Sequence, residues 1–120
     1  VDNSSGSIYV TGTVTGALDD NNTTNGRSDI FLIKYNPDKT REWAYQFGGN
    51  SLDDGQGLAL DLSGNVYVTG RTSYTLKPPC SDSHSGNYDI FVLKYDHNNT
   101  SGVPDLCFLY GNISWDEAKE

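Results

Sequence analysis

The sequence predicts an all-β fold in which one antiparallel, four-stranded unit is used twice. The stretch GSIYVTG at residues 6–12 recurs as GNVYVTG at 64–70, and DIFLIKY at 29–35 recurs as DIFVLKY at 89–95. A third pair of similar blocks follows in the same order, and the spacing between the copies grows only across the loops. Strands that stay in step while loops take insertions are typical of a repeated supersecondary unit. The abundance of Gly, Asn, Ser, Thr and Asp favours short strands joined by many turns.

Each unit is predicted to contain four strands, which we name A to D in chain order. Strand A lies at 57–61, strand B near 65–71, strand C at 29–35 and 89–95, and strand D near 42–47 and 105–110. Strand C is apolar on both faces, which indicates burial on both sides of the sheet. A four-stranded meander with a two-sided middle, repeated in tandem, is typical of a β-propeller blade packed between neighbouring blades. A β-sandwich with accidental self-similarity is the alternative.

About two blades are expected, and the first of them is incomplete. Residues 1–55 form the predicted first blade, which has strands B, C and D, and residues 56–120 form the second, which has all four. The start of the chain aligns with the end of a strand A, and its last residues align with the approach to another. Closure of a propeller takes roughly four to eight blades. We therefore expect a larger propeller or repeat assembly, made either by a longer tandem array or by copies associating head to tail.

These blocks resemble a known repeat family. LALDLSGNVYVTG followed by YDIFVLKYD, and SDIFLIKYN followed by REWAYQFGGNSLDDGQG, are similar to the SBBP type of β-propeller repeat. The resemblance covers nearly the whole chain apart from the long loops near 14–27 and 73–87. The end of the second unit departs from it, because PDLCFLYGNISWDEAKE lacks the strand tryptophan and the Gly-rich corner of WAYQFGGNSLDDGQG. The resemblance implies a fold and fixes no activity.

The charge of the chain excludes several classes of partner. It has 16 acidic and 8 basic residues, which gives a formal net charge of -8. Nucleic-acid binding needs a basic surface, and so does binding to an anionic membrane. No apolar run approaches the roughly 20 residues of a membrane-spanning helix. We therefore expect no nucleic-acid partner and no membrane insertion.

The two cysteines both lie in the second unit. Cys80 falls in the long loop between strands B and C, and Cys107 falls in strand D, whereas the first unit has neither. A disulfide between them is the prediction, and closing a loop of this size would stabilise the fold by about 3 kcal/mol. The alternative is a pair of free thiols.

The sequence contains an excess of N-x-S/T motifs, which are acceptors for N-linked glycans. Together with the cysteine pair they predict an extracellular or cell-surface location. Unmodified polar turn residues are the alternative, and that outcome would favour a bacterial origin. The candidate glycosylation sites are Asn3, Asn21, Asn22, Asn98, Asn99 and Asn112.

Residues that carry chemistry are few. His84 and His97 are the only histidines, both in polar loops, and the common nucleophile, phosphate-loop, dinucleotide and metalloprotease motifs are absent from the sequence. The stretch DDNNTTNGRSD at 19–29 offers the oxygen ligands that suit calcium, but it lacks the spacing of an EF-hand loop. We predict that the protein is not an enzyme and has no catalytic residue, no metal site and no cofactor apart from glycans. Calcium binding stays open as an alternative.

An acidic pair recurs at the predicted corner between strands D and A. A lysine also recurs at the end of each strand C, and we expect these lysines to pair with the acidic residues as a structural corner contact. A calcium or ligand role for the corner is the alternative. The corner residues are Asp53, Asp54, Asp116, Glu117, Lys34 and Lys94.

The sequence therefore predicts a non-catalytic extracellular structural or adhesive module, part of a fibre or cell-surface protein, which assembles with further repeats or copies of itself. The edge of strand B at 7–13 lacks its own strand A, and an unpaired edge is a template for association. We also expect exposed apolar faces carrying Ile30, Leu32, Ile90 and Val92. The alternative is a ligand-binding propeller segment of a larger secreted protein, taking calcium or carbohydrate. Sugar stacking on loop aromatics would then involve Tyr74, Tyr88 or Trp115.

Overall fold

The computed structural model describes residues 1–18, 28–49, 52–73, 76, 80 and 88–110. The described residues form seven strands and no helix, so the predicted all-β fold is confirmed. In this part of the chain there is consequently no helix long and apolar enough to span a membrane. The strands are β1 (Ile8–Val14), β2 (Asp29–Tyr35), β3 (Arg41–Phe47), β4 (Asp53–Leu60), β5 (Val66–Thr72), β6 (Asp89–Tyr95) and β7 (Leu106–Tyr110).

The strands form two antiparallel meanders with matching registers. The first sheet has the order β1-β2-β3, and the second has the order β4-β5-β6-β7. In the first sheet Gly12 lies opposite Phe31, and in the second Gly70 lies opposite Phe91. The strands β1 to β3 are therefore strands B, C and D of the first unit, and β4 to β7 are strands A to D of the second.

Strand β4 begins earlier than the sequence predicts. It starts at Asp53, four residues before the predicted start at Gly57, and its register shifts between Gly55 and Gly57. Acidic residues and glycines are depleted in strands, which is why this stretch reads as a corner. The shift is a bulge, where glycine is common. The backbone N–H of Asp53 also donates to the Ser28 carbonyl oxygen at 3.1 Å, which fastens the start of β4 to the first sheet.

The loops between strands C and D differ between the units. In the first sheet residues 36–40 make a tight turn, closed by a hydrogen bond from the Asn36 N–H to the Thr40 carbonyl oxygen at 2.8 Å. In the second sheet residues 96–105 make a longer loop held by the side chain of Asn99. The longer loop therefore places extra backbone N–H and carbonyl groups beside the second sheet, and the first sheet has no equivalent of them at its turn.

The core lies between the sheets. Ile30, Leu32 and Phe47 of the first sheet are at most 5% exposed and belong to one buried cluster with the second sheet. The expectation that Ile30 and Leu32 are exposed is therefore wrong, because the second sheet covers them. The second sheet contributes Val66, Val68, Phe91, Leu93, Tyr95, Cys107 and Leu109 to this cluster.

Candidate interaction surface

Each sheet has two apolar faces, set by the alternation of side chains along its strands. We call the face that carries Ile30 and Leu32, or Ile90 and Val92 in the second sheet, the front face. The opposite face is the back face. The residues of strand D opposite these positions share the same face. In this structure the front face of the first sheet packs on the back face of the second.

Aromatic side chains join the two faces at one end of the interface. The rings of Trp43 and Tyr45 stack with centroids 4.2 Å apart, and Tyr45 stacks on Tyr95 of the second sheet at 5.7 Å. The Tyr45 hydroxyl donates to the carbonyl oxygen of Asn99 at 2.8 Å. Burial raises the pKa of Tyr95, whose ring lies inside the interface. The stack buries aromatic surface while the Tyr45 hydroxyl keeps a hydrogen-bond partner, so it adds specificity to the packing.

The front face of the second sheet has no covering sheet among the described residues. Ile90 is 47% exposed, whereas Ile30 at the same repeat position is 2% exposed. Phe108 is 47% exposed and Tyr110 is 59% exposed. The prediction that Ile90 is exposed is thus confirmed, while Val92 is half-buried. An apolar surface of this kind indicates a site of protein contact.

The back face of the first sheet is open in the corresponding way. Val10 is 41% exposed, whereas Val68 at the same repeat position is fully buried. Phe31 is half-buried, whereas its counterpart Phe91 is fully buried. Among the described residues, one front face and one back face are therefore left without a covering sheet. The other half-buried members of this back face are Ile8, Ile33 and Tyr35.

Two carboxyl groups lie buried where the sheets meet at the start of strand C. Asp53 is 0% exposed, and its carboxyl oxygens accept hydrogen bonds from the Thr72 hydroxyl at 2.5 Å and the Gly49 N–H at 2.7 Å. Asp29 is 1% exposed and accepts from the side-chain amide of Gln46 at 2.9 Å. Both carboxyl groups press against Gly48, where a Cβ would overlap Asp29 and lie 2.7 Å from Asp53. The joint therefore requires glycine at this position.

Burial raises the pKa of Asp53 to about 6, and the neighbouring Asp29 adds to this effect. The hydrogen bonds from Thr72 and Gly49 act in the opposite direction but do not cancel it. A buried carboxyl group that loses its hydration favours its neutral form. Near neutral pH, Asp53 therefore carries a charge that the fold disfavours.

We expect the protein to become less stable as the pH rises through about 6. In the unfolded chain Asp53 binds its proton only below about 3.8, so between pH 4 and 6 the folded state holds the extra proton. The expected loss of unfolding free energy between pH 5 and 7.5 is on the order of 1 kcal/mol. Urea unfolding at the two pH values measures it.

The matched control for this pH effect is Asp53→Asn, which cannot titrate. Lower pH also weakens the repulsion within a chain of net charge -8, so wild type and variant share that part of the change. The variant should show a clearly smaller pH dependence than wild type. An identical pH dependence in both proteins would rule out Asp53 as the cause.

Asp53 and Asp54 do not pair with Lys34 or Lys94, so that part of the predicted corner contact is wrong. Lys34 Nζ lies 2.9 Å from Glu42, and Lys94 Nζ lies 3.2 Å from Asp96. Both lysines sit at the end of strand C, whereas Asp53 meets the first sheet at the start of that strand. The other acidic pair, Asp116 and Glu117, lies outside the described residues.

Asp54 makes a different set of contacts from the predicted one. It lies in β4, with one carboxyl oxygen 3.5 Å from Nε of Arg71, and it accepts a hydrogen bond from the Thr13 hydroxyl of the first sheet. Asp54 thus links the sheets from an exposed position, while Asp53 does so from a buried one. The buried Asp29 and Asp89 were missed, although a repeated acidic residue at the start of an apolar strand was a usable signal.

Cys80 and Cys107 form a disulfide, as predicted. Their Cα atoms are 4.6 Å apart, and both residues are buried. The bond ties the loop before β6 to β7. Leu76 of the same loop is 3% exposed and bridges to Gly49, so the loop also closes one side of the core between the sheets.

Three of the candidate glycosylation sites lie in the described residues. Asn3 and Asn98 are exposed, so a glycan on either has room. Asn99 is half-buried, and its amide nitrogen donates to the Val103 carbonyl oxygen at 2.7 Å and the Asp105 carboxylate at 2.9 Å. A glycan on Asn99 would replace those bonds, so Asn98 is the available acceptor of the pair. Asn21, Asn22 and Asn112 lie outside the described residues.

The remaining candidate ligand residues are dispersed. His97 is exposed, and its backbone N–H donates to Asn65 at 3.0 Å. Tyr88 is exposed beside Arg71, whose guanidinium lies 4.7 Å from the ring centroid. The described residues contain no group of three or more His, Cys, Asp and Glu side chains that could hold a metal ion. His84, Tyr74, Trp115 and most of the acidic loop, residues 19–27, fall outside the described part.

The stretch of sequence that connects the two sheets matches a known repeat family. Residues 42–74 match the SBBP β-propeller repeat. The matched SBBP segment begins in β3, runs through β4 and ends just after β5, so it crosses from the first sheet to the second. The predicted SBBP resemblance is confirmed over these residues.

The chain is also similar to a short region of a much longer protein. It is 28% identical over 88 residues to the regulatory protein FlaEY of Caulobacter vibrioides. The similar region covers 73% of this chain and 9% of that relative. The chain thus spans only a small part of the relative's length.

Proposed function

We propose that this chain is a non-catalytic structural or adhesive repeat module of an extracellular or cell-surface protein, which assembles with further SBBP-type blades. The observation that carries the proposal is the packing of the front face of one repeat on the back face of the next. A repeat that buries its faces only against neighbours gains stability with each added neighbour. The similarity to a small part of a much longer relative supports a role as one module of a larger assembly.

The disulfide and the exposed sequons support the proposed location. A buried disulfide persists in oxidising compartments, and Asn3 and Asn98 offer exposed acceptors for glycans. Mass spectrometry of the protein from its native source should find the cysteines oxidised and at least one Asn modified. A bare polypeptide mass with two free thiols would contradict the extracellular location.

A tandem chain tests the assembly directly. Two copies of the 120 residues, joined by a short linker, should unfold at a higher urea midpoint than the single chain. The gain should come from a new interface between the second sheet of the first copy and the first sheet of the second copy. An unchanged midpoint would contradict the proposal.

The tandem chain contains its own matched control. Phe108→Asp in the first copy places a charge in the new interface, and it should remove the gain. The same substitution in the second copy falls on a front face that stays open, so it should leave the gain in place. Equal effects of the two substitutions would show that any gain arises elsewhere.

A further inference from the structure

We infer that separate copies of this chain associate head to tail, with the front face of the second sheet of one copy covering the back face of the first sheet of another. The inference rests on the proposed function and names the surface and the partner. It requires no new type of contact, because the same faces already meet once within the chain. The occupant of the open front face is thus a second copy.

The composition of the open front face fits this partner. It presents Ile90, Val92, Leu106, Phe108 and Tyr110, which occupy the repeat positions of Ile30, Leu32, Trp43, Tyr45 and Phe47. The first-sheet set packs against the second sheet, whereas Ile90, Leu106, Phe108 and Tyr110 are each at least 46% exposed. Equal positions in the repeat therefore differ in burial because, in the part of the chain that the structure describes, only one of them has a neighbouring sheet.

The loops beside the two back faces make the match more specific. Within the chain Tyr45 stacks on Tyr95 and donates its hydroxyl to Asn99 in the loop at 96–105. Phe108 stands at the position of Tyr45 and has no hydroxyl group. The back face of the first sheet offers Tyr35 at the position of Tyr95, beside the shorter turn at 36–40. In the proposed contact, Phe108 of one copy therefore lies beside the short turn at 36–40 of the other copy. Phe108 has no hydroxyl group that needs an acceptor, so no buried polar group loses its hydrogen-bond partner there.

The symmetric alternative, in which two front faces meet, would leave the back face of the first sheet uncovered. That back face presents the apolar side chains of Ile8, Val10, Phe31, Ile33 and Tyr35. Head-to-tail packing covers both kinds of face, so it buries more apolar surface for each copy.

The net charge of the chain sets how the association depends on salt. Each copy carries a net charge of -8, so copies repel one another at long range. Salt screens that repulsion and leaves apolar burial intact. Association should therefore strengthen as the salt concentration rises, in contrast to association driven by opposite charges.

Sedimentation equilibrium of the purified chain over a wide concentration range is the test. The mass average should rise above the 13.1 kDa of one copy as the concentration increases. Phe108→Asp blocks the front face and Val10→Asp blocks the back face, so each variant alone should remain at the mass of one copy. A mixture of the two should form a dimer that grows no further, because each variant keeps one intact face.

Leu62→Asp is the matched control. Leu62 is fully exposed in the turn after β4, away from both faces, and its substitution should leave the association unchanged. Near-ultraviolet circular dichroism confirms that each variant is folded, and Phe108→Ser and Val10→Ser replace any charged variant that does not fold.

Three outcomes would overturn the inference: a wild type that stays at the mass of one copy, a variant mixture that does not dimerise, or a Val10→Asp variant that associates like wild type. A single-copy wild type combined with a stabilised tandem chain would leave the proposed function standing. Association of separate copies without stabilisation of the tandem chain would contradict the proposed function instead.

Discussion

Replacing Phe91 with alanine should lower the unfolding free energy by about 4 kcal/mol. Phe91 is 0% exposed in the back face of the second sheet, and its ring lies against Gly70 with both sheets around it. Removing it takes away buried apolar surface and leaves a cavity, and both effects destabilise. Urea unfolding with the disulfide intact measures the loss.

The repeat supplies the control for this substitution. Phe31 occupies the same position in the first sheet and covers Gly12 in the same way, but it is half-buried because none of the described strands lies over it. Phe31→Ala should cost about half as much as Phe91→Ala. Both substitutions are best made with Phe108→Asp present, so that association of copies does not cover Phe31. Equal losses at the two positions would contradict the assignment of the covered face.

Replacing Gly70 with alanine should cost on the order of 3 kcal/mol. A Cβ at Gly70 would overlap the carbonyl oxygen of Asp54 and would lie 2.9 Å from the Phe91 ring. The Asp54 oxygen belongs to the backbone at the bulge of β4, so it cannot retreat without breaking the pairing of β4 with β5. Thermal and urea unfolding should both report the loss.

Gly12→Ala is the corresponding control. Gly12 has the same repeat position, but the nearest atoms to a Cβ there belong to the ring of Phe31, at 2.9 Å. A half-buried ring can shift by a few tenths of an ångström, so the cost should be clearly smaller than at Gly70. If Gly12→Ala proved as damaging as Gly70→Ala, close approach of the β4 backbone would not be the reason for glycine.

The repeat made much of the fold predictable. Aligning the two DIF-containing blocks located β2 and β6, and the alternation in β3 placed Trp43, Tyr45 and Phe47 on one face. The disulfide followed from the presence of only two cysteines, both in the second unit. These features depend on spacing along the chain, which a sequence carries directly.

The acidic joint between the sheets was not predictable to the same degree. Asp53 looked like a solvated corner residue because aspartate and glycine are uncommon in strands. Its burial depends on Thr72, Gly49 and Gly48, which approach it from separate parts of the chain. The lysines that seemed to be its partners instead pair locally, since Glu42 and Asp96 are closer along the strands.

By itself, the sequence determined which residues share a face, because side chains alternate along a strand whatever lies above it. Only the tertiary structure decided which of those faces is covered. Ile30 and Ile90 are the same residue at the same repeat position, yet they are 2% and 47% exposed. The second sheet lies over Ile30, whereas no sheet lies over Ile90 in the described part of the chain. Burial depends on the neighbour that a strand meets in space, and two nearly identical local sequences do not show which of them has that neighbour.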